Sequence, residues 1–102
     1  MKRILIIDDN EDIRKIIGYD LIKAGFDVDD AQDGESGYQM IQKEKNYDLI
    51  IVDWMMPGMS GIELVRTLRR QHNNSLLFML TAKDGVDDLA VARIINVPGR
   101  GI

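Results

Sequence analysis

The chain has 102 residues, 45% hydrophobic and 29% charged, with a net charge of −4. That length suits one domain with a modest core, and the acidic balance argues against nucleic-acid binding as the main activity. The absence of cysteine excludes disulfides, thiolate catalysis and Cys-ligated zinc; no apolar run approaches the ~20 residues of a membrane span, and the chain reads as cytoplasmic.

In chain order, short apolar runs alternate with amphipathic stretches, the pattern of βα units on a parallel sheet. Arg3 to Ile7 is the first strand, followed by a helix from about Glu11 to Ala24. Its apolar stripe is Ile13, Ile16, Ile17, Leu21 and Ala24, with Gly25 as its left-handed stop. Phe26 to Asp30 is a weak, acidic strand at or near an edge. A second helix covers roughly Gly34 to Lys45, with Tyr38 and Ile41 one turn apart. Leu49 to Val52 is a central strand, apolar on both faces. Ser60-Gly61-Ile62-Glu63 is a capping box that starts a third helix near Gly61, with Ile62, Val65 and Leu68 inward. Leu76 to Leu80 is a further buried strand that ends at Thr81. Val86 to Ile94 reads as a short helix, and Pro98-Gly99-Arg100-Gly101 breaks any regular element.

Two of these strands end in acids: Ile7 runs into Asp8-Asp9, and Val52 into Asp53. Ligands of an open parallel sheet gather outside the carboxyl ends of its strands. If the two strands are neighbours, three carboxylates share one pocket, where each like-charged pair at ~4 Å costs about 4 kcal/mol at an effective dielectric of ~20. A cation or a proton must offset that repulsion. Asp8 and Asp9 are therefore candidate ligands of a Mg²⁺-type ion, Asp53 a carboxylate nucleophile for phosphorus, and Thr81 a hydroxyl donor to a phosphoryl oxygen. In the plainer alternative, Asp8 to Asn10 cap a helix and Asp53 opens a turn.

The set Ile6-Ile7-Asp8-Asp9, Ala31-Gln32-Asp33-Gly34-Glu35, Asp48-Leu49-Ile50-Ile51-Val52-Asp53, Met56-Pro57-Gly58-Met59-Ser60-Gly61 and Leu80-Thr81-Ala82, in this order, resembles the receiver domain of bacterial two-component response regulators. The clear part runs from residue 1 to about 84. The resemblance implies a flavodoxin-like doubly wound sheet of order 2-1-3-4-5. It implies that Asp53 accepts a phosphoryl group from a histidine kinase or phosphotransfer protein. Asp9, Asp53 and the backbone carbonyl of Met55 would then ligate Mg²⁺ directly, and Asp8 through water. Thr81 becomes the switch hydroxyl that acts on a downstream protein target. Met55, two residues after the phosphoacceptor, lacks a group to position an attacking water, so a long-lived phosphoform is expected. Trp54 is placed at the pocket mouth as a fluorescent reporter. His72 reads as an exposed residue near a helix end, Arg66, Arg69 and Arg70 as a solvated helix face, and Lys83 as a solvated lysine.

The likeness fails toward the end. Receivers close their fifth strand with lysine and proline, whereas Ile95-Asn96-Val97-Pro98 has Val97 at the lysine position, and no final helix follows. Either Ile94 to Val97 is an abbreviated fifth strand, or residues 85–102 are a divergent or foreign tail on a truncated or recombined receiver. We favour the tail. Loss of the lysine should weaken phosphoryl binding and its coupling to Thr81. The incomplete edge also favours a homodimer or strand exchange. The expectation is a single receiver-like domain of residues 1–102 that is no enzyme beyond self-catalysed phosphoryl transfer and contacts neither nucleic acid nor membrane. A signalling-incompetent fragment and an aspartyl-phosphate phosphohydrolase are the rivals; Met55, where such hydrolases place a second acid, counts against the latter.

Overall fold

The computed structural model describes residues 2–44, 47–53, 56, 58–73, 75–81 and 93–96, with backbone alone for 81 and 93–96. Along the chain these form β1 (Arg3–Ile7), α1 (Glu11–Lys23), β2 (Asp27–Ala31), α2 (Gly34–Glu44), β3 (Leu49–Asp53), α3 (Gly61–Arg70), β4 (Leu76–Thr81) and β5 (Arg93–Asn96). The sheet order is β2-β1-β3-β4-β5, and the first four strands run parallel. This is the flavodoxin-like arrangement.

The continuous apolar runs explain which strands are central. Ile4 to Ile7 are all buried in β1, and Ile50 and Val52 are fully buried in β3. The acidic β2 takes the edge. Because strand residues alternate between faces, Leu5, Ile7, Ile50, Val52, Leu77 and Met79 turn to one side. There they pack with Ile41 of α2 and with Leu64, Val65 and Leu68 of α3. On the opposite side α1 lies over β1 and β2, close enough that Ile6 and Val28 come within 3.9 Å of where a Gly18 Cβ would stand. Gly34 allows another close approach, since a Cβ there would lie 2.6 Å from the Met59 carbonyl oxygen. That contact seats the start of α2 against the loop after β3.

The helix ends follow capping chemistry. The Asn10 side chain accepts from the Ile13 N–H, and Ser60 and Glu63 form the reciprocal capping box. Gly25 (φ 98°) ends α1, with Gly25 N–H donating to Ile22 and Phe26 N–H to Leu21. The same pattern ends α3, where the left-handed position is occupied by His72 (φ 61°), an exposed residue.

Two expectations need correction. Ile16 and Ala24 do not belong to the inward stripe of α1: Ile16 is 47% exposed and Ala24 is exposed as well. The buried residue of that helix is Gly18, which lets the backbone approach the sheet. At the other end, Arg93 and Ile94 belong to β5 rather than to a helix; residues 86–92 lie outside the described ones. The abbreviated fifth strand is present, one residue earlier than expected, but it runs antiparallel to β4, pairing Thr81 with Arg93 and Phe78 with Asn96. A parallel crossover needs about a dozen residues or more, including a helix. Only residues 82–92 separate the strands, so an antiparallel return is the accessible solution. The expected absence of a final helix concerns residues outside those described.

Candidate metal and phosphoryl site

The register aligns Ile7 of β1 with Val52 of β3. The residues that follow, Asp8-Asp9 and Asp53, therefore leave the sheet side by side at its carboxyl edge. One carboxylate oxygen from each of Asp8, Asp9 and Asp53 lies within 4.8 Å of the others. Three sequence-predicted acids are thus brought together.

They differ in setting. Asp8 is 3% exposed, Asp53 is half-buried and Asp9 is exposed. Burial pushes the Asp8 carboxyl above its ordinary value; the Asn10 N–H partly offsets this, and the Asp9 charge adds to it. That N–H donates to Asp8 Oδ1 at 2.8 Å. Asn10, whose own side chain caps α1, thereby fixes Asp8 as well. The helix-cap reading and the metal-site reading are both satisfied by one turn.

A buried carboxylate crowded by two others is under electrostatic load that a divalent ion relieves. Hard carboxylate oxygens at this spacing suit a small hard cation that keeps some of its waters. An open cleft of about 430 Å³ adjoins the acids, lined by Asp9, Gln32, Asp33, Glu35, Gly58 and Met59. Asp33 is structurally engaged there. It accepts from the Ser36 N–H at 2.7 Å at the start of α2, and this bond holds its carboxyl below the ordinary range.

Thr81 ends β4, one residue beyond Leu80, which pairs with Asp53. The predicted ligand carbonyl of Met55, the reporter Trp54 and the lysine at 83 lie outside the described residues. One contributor was missed in the sequence. Arg14 sits on the first turns of α1, and its guanidinium donates to the Asp8 carbonyl at 2.8 Å and to Asp30 Oδ2 at 2.8 Å. A helical arginine normally reads as solvated, and its only signal was the following acidic strand.

Comparison with known proteins agrees with this geometry. The response regulator receiver domain family matches residues 4–97. The chain is similar to the alkaline phosphatase synthesis transcriptional regulatory protein PhoP of Bacillus subtilis, 43% identical over 83 residues that cover 81% of this chain and 34% of PhoP. It is also similar to the phosphate regulon transcriptional regulatory protein PhoB of Pseudomonas aeruginosa, 42% identical over 89 residues, 85% of this chain and 38% of PhoB. The chain thus spans about a third of the length of these curated relatives. Among solved structures, the response regulator TrrA of Thermotoga maritima, in complex with Mg²⁺ and BeF, superposes with a TM-score of 0.77 at 37% identity. That match covers 82% of this chain and 72% of TrrA. A response regulator receiver domain protein of Clostridium thermocellum gives 0.78 at 26% identity, covering 85% and 70%. With the strand order, the acid cluster and these matches in agreement, the chain belongs to the response regulator receiver domain family of two-component signalling.

Proposed function

We propose that this receiver accepts a phosphoryl group on Asp53 from a histidine kinase or phosphotransfer protein of the cytoplasm and passes the signal to a downstream protein target. The observation that carries this reading is the convergence of Asp8, Asp9 and Asp53 at adjacent strand ends. Asp8, Asp9 and Asp53, with the Met55 carbonyl, are the proposed holders of Mg²⁺, which when bound neutralises phosphoryl charge as a Lewis acid. A carboxylate oxygen of Asp53 forms the new bond to phosphorus as the phosphorus–nitrogen bond of the donor phosphohistidine breaks, and the electron pair stays on the imidazole nitrogen. Thr81, the residue that follows the β4 partner of Asp53, is the proposed source of the switch hydroxyl. The domain is a single unit over residues 1–102, and it signals rather than turning over a substrate.

Two named relatives are transcriptional regulatory proteins. In this chain the phosphorylated surface is read as contacting protein, with no direct nucleic-acid or membrane contact; no helix among the described residues is long and apolar enough to cross a membrane. A second copy of the chain is a further proposed partner, because Ile16, Tyr19 and Ile22 of α1 are exposed together.

The test is to incubate the chain with acetyl phosphate and Mg²⁺ and weigh it. The expected result is one added phosphoryl group on the wild type and none on Asp53→Ala. An unchanged wild-type mass contradicts the reading and favours the signalling-incompetent fragment. Continuing release of inorganic phosphate would instead indicate a phosphohydrolase.

A further inference from the structure

Asp8 is tied to the edge strand from both sides. Its N–H donates to the Ala31 carbonyl of β2 at 3.1 Å. Its own carbonyl accepts from Arg14 Nη1, and Arg14 Nε reaches Asp30 Oδ2 of the same strand, both at 2.8 Å. The Arg14 side chain is only 14% exposed, although Asp30 is open to water. A half-exposed ion pair of this kind contributes little to stability by itself. Charge does not explain the arrangement either: a guanidinium bonded to the peptide of a metal ligand repels a divalent cation bound beside it. What the two-point fork does supply is direction, since its planar donors fix the Asp8 carbonyl relative to β2.

We infer that Arg14 is a positioning residue of the acidic site, clamping the Asp8 peptide against Asp30 so that the Asp8-Asp9 turn presents its carboxylates toward Asp53. Lysine at position 14 would keep the charge and the stem but lose the planar fork. The clamp rests on the reading that the acids bind Mg²⁺, and the test separates the two.

Titration calorimetry with Mg²⁺ is carried out on the full chain well below its melting temperature, where global stability does not enter the affinity. Arg14→Lys raises the Mg²⁺ dissociation constant by about tenfold, the lower end of the effects from residues that orient metal ligands. Asp30→Asn raises it more than Asp12→Asn, which removes the same charge from the exposed first turn of α1. The Arg14→Lys/Asp30→Asn double variant is weakened by less than the sum, because a clamp opened at one end has little left to lose. An unchanged or lowered constant for Arg14→Lys overturns the inference, and so do strictly additive effects. If Arg14→Lys does not melt cooperatively, Asp30→Asn decides: an effect no larger than that of Asp12→Asn overturns it. A wild-type chain that takes up no Mg²⁺ removes the metal reading and the clamp together, whereas a wild type that binds beside an indifferent Arg14→Lys removes the clamp alone.

Discussion

The carboxylate of Asp8 accepts a 2.8 Å hydrogen bond from the Asn10 N–H while being almost wholly removed from water and within reach of two other acids. Holding charge there works against folding in the absence of a cation. The folded Asp8 carboxyl titrates above its unfolded value, so the folded state binds this proton more tightly. Its unfavourable contribution is present above that raised value and is relieved as pH falls through it. Asp8→Asn keeps an acceptor for Asn10 and removes the charge. It should stabilise the metal-free chain at neutral pH by about 1 kcal/mol and flatten this acid-side gain, while reducing Mg²⁺ affinity. Thermal melts at neutral and mildly acidic pH, with and without Mg²⁺, check both halves.

At the opposite end of the sheet, Tyr47 donates from its hydroxyl to Asp29 at 2.6 Å, with the Arg3 guanidinium stacked 4.9 Å from its ring centre. Arg3 also reaches Asp29 and Glu44. Burial, followed by the Asp29 hydrogen bond, pushes the Tyr47 hydroxyl far above its ordinary value. The resulting stability is intact below the unfolded tyrosine value of about 10 and is lost as pH rises beyond it. Tyr47→Phe should cost about 1 kcal/mol at neutral pH and remove part of the alkaline loss. Urea titrations at neutral and alkaline pH measure both.

His72 occupies a left-handed position after α3 that glycine fills without steric cost. His72→Gly should stabilise the chain by several tenths of a kcal/mol to about 1 kcal/mol, with no change in Mg²⁺ binding. A destabilising result would show that the histidine side chain holds a compensating contact. Denaturant midpoints at constant slope decide it.

The exposed Ile16, Tyr19 and Ile22 of α1 should support concentration-dependent self-association. Tyr19→Glu and Ile22→Lys should each shift the chain toward monomer without lowering its melting temperature. Light scattering over a hundredfold concentration range is the measurement; a monodisperse wild-type monomer throughout rules the dimer out.

The acidic site was legible because its residues stand at the ends of two unmistakable apolar runs, and strand-end position is a local property. Gly25 and the Ser60–Glu63 box were legible for the same reason. Ile16 was misplaced because hydropathy periodicity counts apolar side chains, whereas the buried face of α1 is organised around Gly18, which has none. Leu64 and the close approaches at Gly34 and Gly37 depend on how α2 and α3 meet the sheet. The Arg14–Asp8–Asp30 clamp and the Arg3–Tyr47–Asp29 cluster join residues far apart in sequence, where charge patterns along a single helix or strand carry no information. The direction of β5 follows from the short spacing between Thr81 and Arg93, a constraint that can be used only once the bounds of β5 are known.

The most direct measurement of the whole account is Mg²⁺ titration of the wild type beside Asp9→Ala and Asp53→Ala, followed calorimetrically. Saturable binding at a single site, strongly weakened by either substitution while both variants still melt cooperatively, is the predicted result. Binding that is absent from the wild type, or untouched by loss of either acid, would contradict it.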